Sequence, residues 1–472
     1  MIGVGLFGKS CYLNHFIKKQ YANAKLIACV DLVEQSTLVE QYLNEFEPYN
    51  RPKTYFITKS LQTNFNNFLD SIVKKEGINA VIISTPPEVR LPYIKWALRN
   101  NLHVLSDKPL TAPPNCSVEL EASTKLFNDY NKIVQLYDVG LQTNPDLVFD
   151  LMVQRRYHPA YQLILDKLSE VAEHTGCPVT NVQLTHADGQ WRFPNEIIEI
   201  DYHGYNQGNG KSTHSGYHFF DLASNAVKIS AQKAGKSIDT LRVYSTPVYP
   251  SDLPSTMNFS DYSKMFGSDF STNLRYSEQE YEQLTTNFGE VDSVSNLSFL
   301  NNNRVVTTAS LNLLHNSISS RHWNNPNMVD LYRENGRLRQ ELHYYVQGPF
   351  QTISISSLRD CSKASVSNKL LEETAREPMV IEVFRNVGIN KSWKAYERLT
   401  INDLIPELED QDNHISHARD LGIQEFISNI LNKTKRTNRS SNIHSHSHSI
   451  AVMTSICKSM ASKNVYEQAY VI

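Results

Sequence analysis

The sequence predicts an α/β protein in which an N-terminal, doubly wound parallel sheet is followed by a larger α+β domain with a mainly antiparallel, open sheet. Up to residue 145, short continuous apolar runs alternate with amphipathic helical segments, which is typical of parallel strands covered on both faces. Beyond that point the candidate strands become longer and few helices separate them. We therefore predict two domains, residues 1–145 and 146–472, because 472 residues are too many for one core.

Strands and helices alternate regularly in the first domain. Helical spacing begins at Leu13, and the predicted strands are 26–30, 80–83 and 102–105, with helices over 61–73 and 91–98. Only Met1 and Ile2 precede the first glycine, where the central strand of such a sheet usually contributes more residues. Either this strand is unusually short or translation starts upstream of Met1.

The second domain is predicted from strands with looser alternation. Residues 251–300 are rich in Ser, Asn, Asp and Tyr with weak periodicity, so we interpret them as an insertion or mobile loop. An open antiparallel sheet leaves one face in need of cover, and we therefore expect a homo-oligomer, a dimer or a tetramer. The predicted strands cover 148–153, 182–184, 241–244, 305–313, 342–346, 353–355 and 380–384, and helices return at about 418–431 and 450–462.

Composition and charge exclude several classes of partner. The formal net charge of −3 gives no reason to expect nucleic acid or a membrane surface as a partner. No window approaches the ~18 apolar residues of a membrane span, and a glycine cluster stands where a secretory leader would have its apolar segment. The six cysteines form no Cys-x-x-Cys pair, so no zinc knuckle or disulfide framework is indicated. We predict a cytoplasmic protein.

The segment Gly3-Val4-Gly5-Leu6-Phe7-Gly8 fits the glycine fingerprint of a dinucleotide-binding Rossmann domain. Its glycines permit a tight turn and let the backbone approach a pyrophosphate at a helix N-terminus. The fingerprint alone is a weak signal. It gains weight because the chain has only 18 glycines and three of them fall within these six residues.

Asp31 ends the next apolar run, 23 residues after Gly8, close to the ~20 residues expected for the acid that binds the ribose hydroxyls. A carboxylate there repels a 2′-phosphate, so NAD is favoured over NADP as the cofactor. The alternative is a solvent-facing aspartate at the end of a strand.

Two further segments carry a resemblance to a known family. Thr85-Pro86 follows one predicted strand, and Asp107-Lys108-Pro109 follows the next. Together they resemble the glucose–fructose oxidoreductase, inositol dehydrogenase and rhizopine-catabolism family (Gfo/Idh/MocA), in which a Glu-Lys-Pro motif occupies the second position. The resemblance implies that Lys108 is the catalytic lysine at the substrate hydroxyl beside the nicotinamide. A fixed cation there stabilises a developing alkoxide; the alternative is a surface lysine before a turn.

A histidine segment is the second landmark of the resemblance. His218 and Asp221 match the family's catalytic histidine and the aspartate three residues later, but His214 stands where the family has an aspartate. Four residues make about one helical turn, so positions 214 and 218 are expected to share a face. His218 suits a proton shuttle, whereas two neighbouring imidazoles would depress each other's pKa. His214 is then a catalytic neighbour or a substrate hydrogen-bond donor; alternatively, both histidines only pack at a helix start.

The remaining candidates concern substrate and metal. Arg192, which follows Trp191, either binds a polyol through bidentate hydrogen bonds or only packs in the protein interior. Tyr217 is expected to shape the substrate site. His444, His446 and His448 alternate with serines, but no Cys or acidic partner stands at a ligand spacing, so we expect a polar loop and no metal. At position 90, where many family members have histidine, this chain has arginine.

The leading hypothesis is an NAD(P)-dependent dehydrogenase or reductase, acting on a hydroxyl of a sugar, polyol or sugar derivative. The alternative from another class is a catalytically silent dinucleotide-binding regulator of the same fold. A weaker third option is redox-neutral chemistry with a tightly held cofactor. The predicted catalytic residues are Lys108, His218 and His214; the substrate residues are Lys108, Arg192, Tyr217 and His218; and the cofactor residues are Gly3, Gly5, Leu6, Phe7, Gly8, Asp31, Thr85, Pro86, Asp107 and Lys108.

Overall fold

The computed structural model describes residues 1–19, 21–58, 64–200, 204–319, 321, 337–360, 377–409 and 413–472. These residues form two compact units, each with its own sheet. Unit 1 comprises Met1–Ala112, Phe127–His158 and Ile415–Ser447, and unit 2 comprises Pro113–Leu126, Pro159–His414 and His448–Ile472. The boundary between functional domains predicted at residue 145 stays a prediction.

The sheet of unit 1 is parallel, as the sequence predicts. Its strands are β1 (Ala28–Leu32), β2 (Lys53–Ile57), β3 (Ala80–Ile83), β4 (His103–Asp107) and β5 (Phe149–Met152), with β1 paired to β2, β3 to β4 and β4 to β5. Residues 148–153, assigned from the sequence to the second domain's sheet, form β5 instead. This strand pairs with β4 in parallel. All four of its residues are buried, as is typical of a parallel strand that is covered on both faces.

The two residues before the first glycine occupy the centre of this sheet. Ile2 bridges Val30 of β1 and Ile83 of β3 in parallel. Its N–H donates to the carbonyl of Ile82 at 2.8 Å, and its own carbonyl accepts from the N–H of Ser84 at 2.9 Å. A strand of minimal length therefore joins the two halves of the sheet and delivers the glycine segment to its carboxyl edge.

Helices alternate with these strands, and hydrophobic residues on their inner faces pack against the sheet. Tyr12 and Leu105 share a core cluster with Ile423 and Phe426 of the late helix, so a C-terminal segment completes the core of unit 1. The helical segments are Leu6–Gly8, Lys9–Leu13 and Asn14–Lys19 in succession, Ser36–Asn44, Phe65–Glu76, Arg90–Arg99, Leu120–Thr143 (which begins in unit 2) and His414–Leu431.

Among the described residues, unit 2 contains a sheet of nine strands. They are β6 (Asn181–Ala187), β7 (Thr240–Val248), β8 (Asp292–Asn301), β9 (Arg304–Leu314), β10 (Leu338–Gln347), β11 (Gln351–Asp360), β12 (Met379–Arg385), β13 (Tyr396–Thr400) and β14 (Tyr466–Ala469). Their order in the sheet is β13-β12-β11-β10-β6-β9-β8-β7-β14. Every neighbouring pair is antiparallel except β6 and β9, which are parallel. The α/β fold class is thereby confirmed.

The interpretation of residues 251–300 as a mobile loop is wrong, whereas their interpretation as an insertion stays a prediction. They contain the helices Phe259–Phe266, Ser268–Asn273 and Glu278–Thr285, followed by β8. Their polar residues serve as caps, since the side chains of Asn258 and Ser277 accept the N–H groups of Asp261 and Glu280 at 3.0 and 3.2 Å. Short capped helices bury isolated aromatic side chains, which explains the weak periodicity.

The long helices Pro159–Thr175 and Tyr217–Lys233 pack against each other in unit 2. The unit's other helices are Pro194–Glu199, Lys211–His214, Ile401–Leu404 and Ser447–Ser462. Among the described residues, no helix is both long and apolar enough to cross a membrane.

Candidate active site

The three glycines of unit 1 have three different steric situations. Gly3 has φ +86°, and a Cβ there would lie 2.9 Å from the backbone of Ser84. A Cβ on Gly8 would lie 2.6 Å from the carbonyl oxygen of Gly3, whereas a Cβ on Gly5 would meet nothing within 4 Å. Gly3 therefore makes the tight turn, Gly8 permits close packing of helix and strand, and Gly5 borders open space.

The open space at Gly5 fits a dinucleotide. The helical segment begins at Leu6 directly after it, and the first N–H groups of a helix have no partner within that helix. Such amides, together with the helix dipole, attract a pyrophosphate. The steric situations of Gly3, Gly5 and Gly8 are thus compatible with the three roles that the fingerprint requires.

Asp31 lies beside the glycine segment. One carboxylate oxygen accepts the N–H of Val4 at 2.6 Å, and the other accepts the N–H of Leu32 at 2.8 Å. Each oxygen retains acceptor capacity for a ribose hydroxyl, so the geometry is compatible with the role predicted for Asp31. Thr85 and Pro86 follow β3 at the same edge of the sheet, and the backbone of Thr85 is in contact range of a Cβ built on Gly3.

Lys108 lies at the carboxyl end of β4 and is only 8% exposed. Its Nζ lies 6.0 Å from the ring centroid of Phe7 in the glycine segment. Burial lowers the pKa of Lys108 to about 8, while the neighbouring carboxylate of Asp107 acts in the opposite direction. An amine so placed loses its proton far more readily than an exposed lysine.

Asp107, predicted to bind the cofactor, is engaged within the protein. One carboxylate oxygen accepts the hydroxyl hydrogen of Tyr12 at 2.8 Å, and the other lies 3.8 Å from a guanidinium nitrogen of Arg90. Its side chain is buried. These contacts fix the residue that precedes Lys108 in the chain, and direct contact of Asp107 with a cofactor stays a prediction.

Arg90 is a site residue whose role sequence reasoning missed. Its guanidinium is 2% exposed and donates to three backbone carbonyls. Nε and one Nη bond the carbonyl of Thr85 at 3.1 and 2.5 Å, and the other Nη bonds the carbonyl of Asp107 at 2.5 Å and that of Pro109. The arginine thus joins the Thr-Pro turn to the Lys-Pro turn, a function that histidine could not fulfil with its two ring nitrogens.

Arg419 was also missed, because nothing in the sequence connects the late helix with residue 7. Its guanidinium lies 5.8 Å from the ring centroid of Phe7. Its charge lowers the pKa of Lys108, after the larger effects of burial, Asp107, Arg90 and Cys11. Unit 1 therefore places two cations next to one aromatic ring at the glycine segment.

The predicted histidines lie in unit 2. They are not on one helix, because Lys211–His214 ends at His214 and the next helix begins at Tyr217. A Cβ on Gly216 between them would lie 2.7 Å from the carbonyl oxygen of Ser212, so the chain turns closely there. The argument that His214 and His218 share a face of a single helix is therefore wrong.

The predicted residues Tyr217, His218 and Asp221 are all buried. Tyr217 is 0% exposed, and His218 is 6% exposed. Asp221 accepts hydrogen bonds from the side chains of Asn225 at 3.0 Å and Ser449 at 2.7 Å. Substrate contact by Tyr217 and His218 stays a prediction.

Arg192 belongs to a polar cluster that the sequence did not indicate. Its guanidinium carbon lies 5.3 Å from the ring centroid of Tyr205, and the Tyr205 hydroxyl is a hydrogen-bond partner of His315 Nδ1. The charges of Arg192 and His214 both lower the pKa of His315, after the effects of burial, Lys211 and Asp188. The structure thus brings two predicted residues, Arg192 and His214, into the surroundings of a histidine that was not predicted.

Asp188 lies at the centre of this cluster and is 1% exposed. Its carboxylate pairs with Arg337 and lies 3.2 Å from Nζ of Lys211 and 3.3 Å from Nε of Arg339. Burial acts to raise the pKa of Asp188, but these cations, led by Arg337, hold it well below its usual value. Burial in turn lowers the pKa of Lys211 to about 8.

Glu290 fixes the segment that carries His214. Its carboxylate accepts the N–H of Ser212 at 2.6 Å, and its carbonyl accepts the N–H of Lys211 at 3.1 Å. A Cβ on Gly210 would lie 2.1 Å from that carbonyl oxygen, which explains the glycine. Glu290 falls in the stretch interpreted as a loop, so its role was not foreseen.

The three late histidines have separate partners. His444 Nε2 lies 2.8 Å from Asp138, His446 Nε2 lies 2.9 Å from the hydroxyl of Ser441, and His448 Nε2 lies 2.9 Å from the carbonyl oxygen of Val471. Within the described ranges, no group of three His, Cys, Asp or Glu side chains could hold a metal ion.

The predicted site residues fall into two sets, one in each unit. Unit 1 brings together the glycines, Asp31, Thr85 and Lys108, and unit 2 brings together His214 and Arg192 with Tyr205, His315 and Asp188. The first set is compatible with the dinucleotide-binding domain that the sequence predicts.

Comparison with known proteins agrees with this class. Residues 1–137 match the family model GFO_IDH_MocA, described as "Oxidoreductase family, NAD-binding Rossmann fold". The resemblance to the Gfo/Idh/MocA family inferred from the sequence is therefore confirmed over these residues. A sequence search of curated proteins gives no match.

Several solved structures share the fold over nearly the whole chain. An oxidoreductase domain protein from Kribbella flavida is 11% identical, with 99% of this chain and 97% of that chain covered and a TM-score of 0.58. An Agrobacterium radiobacter oxidoreductase in complex with NAD+, L-tartaric acid and magnesium is 12% identical (98% and 96% covered, TM-score 0.56). An apo scyllo-inositol dehydrogenase from Lactobacillus casei is 14% identical (99% and 96%, TM-score 0.52).

Proposed function

We propose that this protein is an NAD(H)-dependent oxidoreductase that acts on a CH–OH group of a sugar, polyol or sugar derivative. The observation that carries the proposal is the pairing of the open dinucleotide cradle at Gly5 with Lys108, buried and in reach of Phe7 in the same segment. The family match to residues 1–137 supports the cofactor. Fold relatives that include a scyllo-inositol dehydrogenase support the substrate class.

When bound, the nicotinamide would accept or supply the hydride. The amides at Leu6 and Phe7 would bind the pyrophosphate, and Asp31 would bind the ribose hydroxyls and disfavour a 2′-phosphate. Lys108 in its cationic form would polarise the reacting hydroxyl and stabilise developing negative charge on its oxygen. Arg90 would hold the turn that carries Lys108 in place.

Transfer of the hydroxyl proton needs a second group besides Lys108. His218 is the general acid/base that the family resemblance implies, and Arg192 would bind substrate hydroxyls. A cytoplasmic location stays a prediction from the sequence. The catalytically silent regulator remains the second candidate because position 214 lacks the family's carboxylate.

A titration followed by a turnover assay tests the proposal. Purified protein is titrated with NADH and with NADPH by fluorescence, and a panel of sugars and polyols is then screened at the nicotinamide absorbance band. We expect tighter binding of NADH and turnover that Lys108→Met abolishes while NADH still binds. Absence of nucleotide binding refutes the proposal; binding without turnover, unaltered by Lys108→Met, supports the regulator.

We also propose that the outer face of the unit 2 sheet binds a second copy of this chain. Large apolar side chains on β7, β8, β10, β12 and β13 are 40–49% exposed on this face, namely Tyr244, Val294, Leu342, Tyr344, Phe384 and Tyr396. An apolar face of this kind is typical of a homo-oligomer interface. Leu342→Glu should convert a dimer or tetramer to a smaller species in analytical ultracentrifugation; a wild-type protein that sediments as a monomer contradicts the proposal.

A further inference from the structure

A second cation stands beside Lys108 within unit 1. Arg419 lies on the late helix His414–Leu431, is half-buried, and has its guanidinium carbon 5.8 Å from the ring centroid of Phe7. Nζ of Lys108 lies 6.0 Å from the same centroid. Phe7 follows Gly5 by two residues in the glycine segment, and a Cβ on Gly5 would border open space. The ammonium and the guanidinium thus share one aromatic ring at the dinucleotide cradle.

The charge of Arg419 is felt by the groups around that ring. Burial lowers the pKa of Lys108, the carboxylate of Asp107 raises it, and the charges of Arg90 and Arg419 lower it further. Burial raises the pKa of Cys11, and Arg419 exerts the largest opposing effect on it. Because Cys11 lies one turn beyond the glycine segment, the guanidinium is within electrostatic range of both the lysine and the first helix.

Positive charge predominates among the groups that act most strongly on Lys108. Asp107 is the carboxylate among them, and its two oxygens already face the hydroxyl of Tyr12 at 2.8 Å and the guanidinium of Arg90 at 3.8 Å. Arg90, Lys108 and Arg419 together bring three cations to this part of unit 1. Like charges held close together disfavour one another, so the arrangement favours a ligand that carries a negative charge.

The position of Arg419 favours the substrate over the cofactor as the source of that charge. In the proposed function, the amides at Leu6 and Phe7 bind the pyrophosphate in the open space at Gly5. Arg419 instead shares a ring with Lys108, to which the proposed function assigns the reacting hydroxyl. A planar guanidinium binds a carboxylate through two parallel hydrogen bonds, which suits recognition of a hydroxy acid by this pair of side chains.

We propose that Arg419 binds a carboxylate of the substrate, and that the substrate is an acidic sugar derivative, an aldonic or a uronic acid. This inference rests on the proposed function, which it narrows from sugars and polyols in general to their acids. The bound carboxylate compensates the positive charge beside Lys108 and favours the ammonium form that polarises the reacting hydroxyl. A neutral polyol supplies no such compensation and is the poorer substrate.

Matched pairs of probes test the inference in the full-length protein with NAD+. Aldonic and uronic acids are each compared with the neutral alditol or aldose of the same configuration, such as D-gluconate with D-glucitol. The wild type should show the higher kcat/KM for the acid. Arg419→Met should lower kcat/KM for the acid by about 10- to 100-fold, the range expected for loss of a hydrogen bond between charged groups. It should leave the neutral probe and the Kd of NADH unchanged.

Two further variants control for charge and for structure. Arg419→Lys keeps the charge without the planar fork and should recover part of the preference for the acid. Arg436→Met makes the same chemical change elsewhere in unit 1, where the guanidinium lies 3.6 Å from Asp138, and should leave the acid-to-neutral ratio unaltered. An equal fall of that ratio in Arg436→Met, or an equal loss for acid and neutral probes in Arg419→Met, overturns the inference. A raised Kd of NADH in Arg419→Met would assign the guanidinium to the pyrophosphate and also overturns it.

A binding measurement separates this inference from the proposed function. The melting temperature of the NADH complex is recorded with each acid and with its neutral counterpart, which needs no turnover. Acids that stabilise the wild-type complex but not the Arg419→Met complex, while no probe is oxidised, refute the proposed function and retain the carboxylate site. Wild-type protein that oxidises neutral polyols at least as well as their acids leaves the proposed function standing and overturns the inference.

Discussion

A single methyl group at Gly5 should separate folding from dinucleotide binding. Gly5 has φ −55° and ψ 178°, a conformation open to alanine, and a Cβ there meets nothing within 4 Å. The loss of glycine before a helix costs up to about 1 kcal/mol, and the reduced flexibility of the unfolded chain offsets about 0.4–1 kcal/mol of it. Gly5→Ala should therefore fold with nearly wild-type stability.

The same methyl group should weaken NADH binding because it occupies the space that the pyrophosphate needs. Loss of one hydrogen bond to a charged group costs about 1.5–3 kcal/mol, which corresponds to a roughly 10- to 100-fold higher Kd. Fluorescence titration measures the Kd, and thermal unfolding without nucleotide measures the stability.

Gly8→Ala is the matched control in the same segment. Its Cβ would lie 2.6 Å from the carbonyl oxygen of Gly3 and 2.8 Å from Met1 Cε, so we expect a loss of stability of about 1–3 kcal/mol from overpacking. An unchanged NADH Kd in Gly5→Ala, with a normal melting temperature, would refute the placement of the pyrophosphate.

Further predictions concern four other residues of unit 1. Asp31→Ala should relax the preference for NADH over NADPH in titrations, and unchanged selectivity would refute the ribose role. Arg90→Met should lower stability by about 3–5 kcal/mol, because it removes a buried charge from three carbonyls and Asp107. In a melting experiment, Arg90→Lys should recover only part of this lost stability. Full recovery would show that the charge alone suffices. The pKa of Lys108 is lowered to about 8, so turnover that needs the protonated amine should fall as the pH rises above 8. In a pH–rate profile, Lys108→Arg should abolish this fall. Burial raises the pKa of Asp150 from 3.8 to about 7, so the folded state binds a proton that the unfolded state releases, and stability falls as the pH rises from 3.8 to about 7. Denaturation of Asp150→Asn should therefore show a flatter pH dependence than that of the wild type. An unchanged pH dependence would contradict the raised pKa.

Much of unit 1 could be predicted because its signals are local. Ala80–Ile83 and the glycine segment are short runs whose composition alone specifies a strand and a turn, and the structure has both where expected. The strand β2 was not predicted, β5 was assigned to the other sheet, and the central strand was in doubt, since two residues carry no periodicity. Its place became visible through the hydrogen bonds of Ile2 to both neighbouring strands.

The rest could not be predicted because it depends on contacts between distant parts of the chain. His315 and Asp188 are 127 residues apart and meet only because β6 and β9 pair in parallel within an otherwise antiparallel sheet. Arg419 reaches the glycine segment through the packing of a late helix. Arg90 was noticed as a mismatch, but its three carbonyl partners belong to turns that the sequence could not place together.

Transfer of deuterium from substrate to cofactor tests the central claim most directly. A polyol panel deuterated at the carbinol carbons is incubated with NAD+ and the wild-type protein, and the NADH formed is analysed by mass spectrometry. We predict that one member of the panel delivers one deuterium per NADH, and that Lys108→Met, which still binds NAD+, delivers none. Bound NAD+ that acquires no deuterium from any member of the panel would contradict the account.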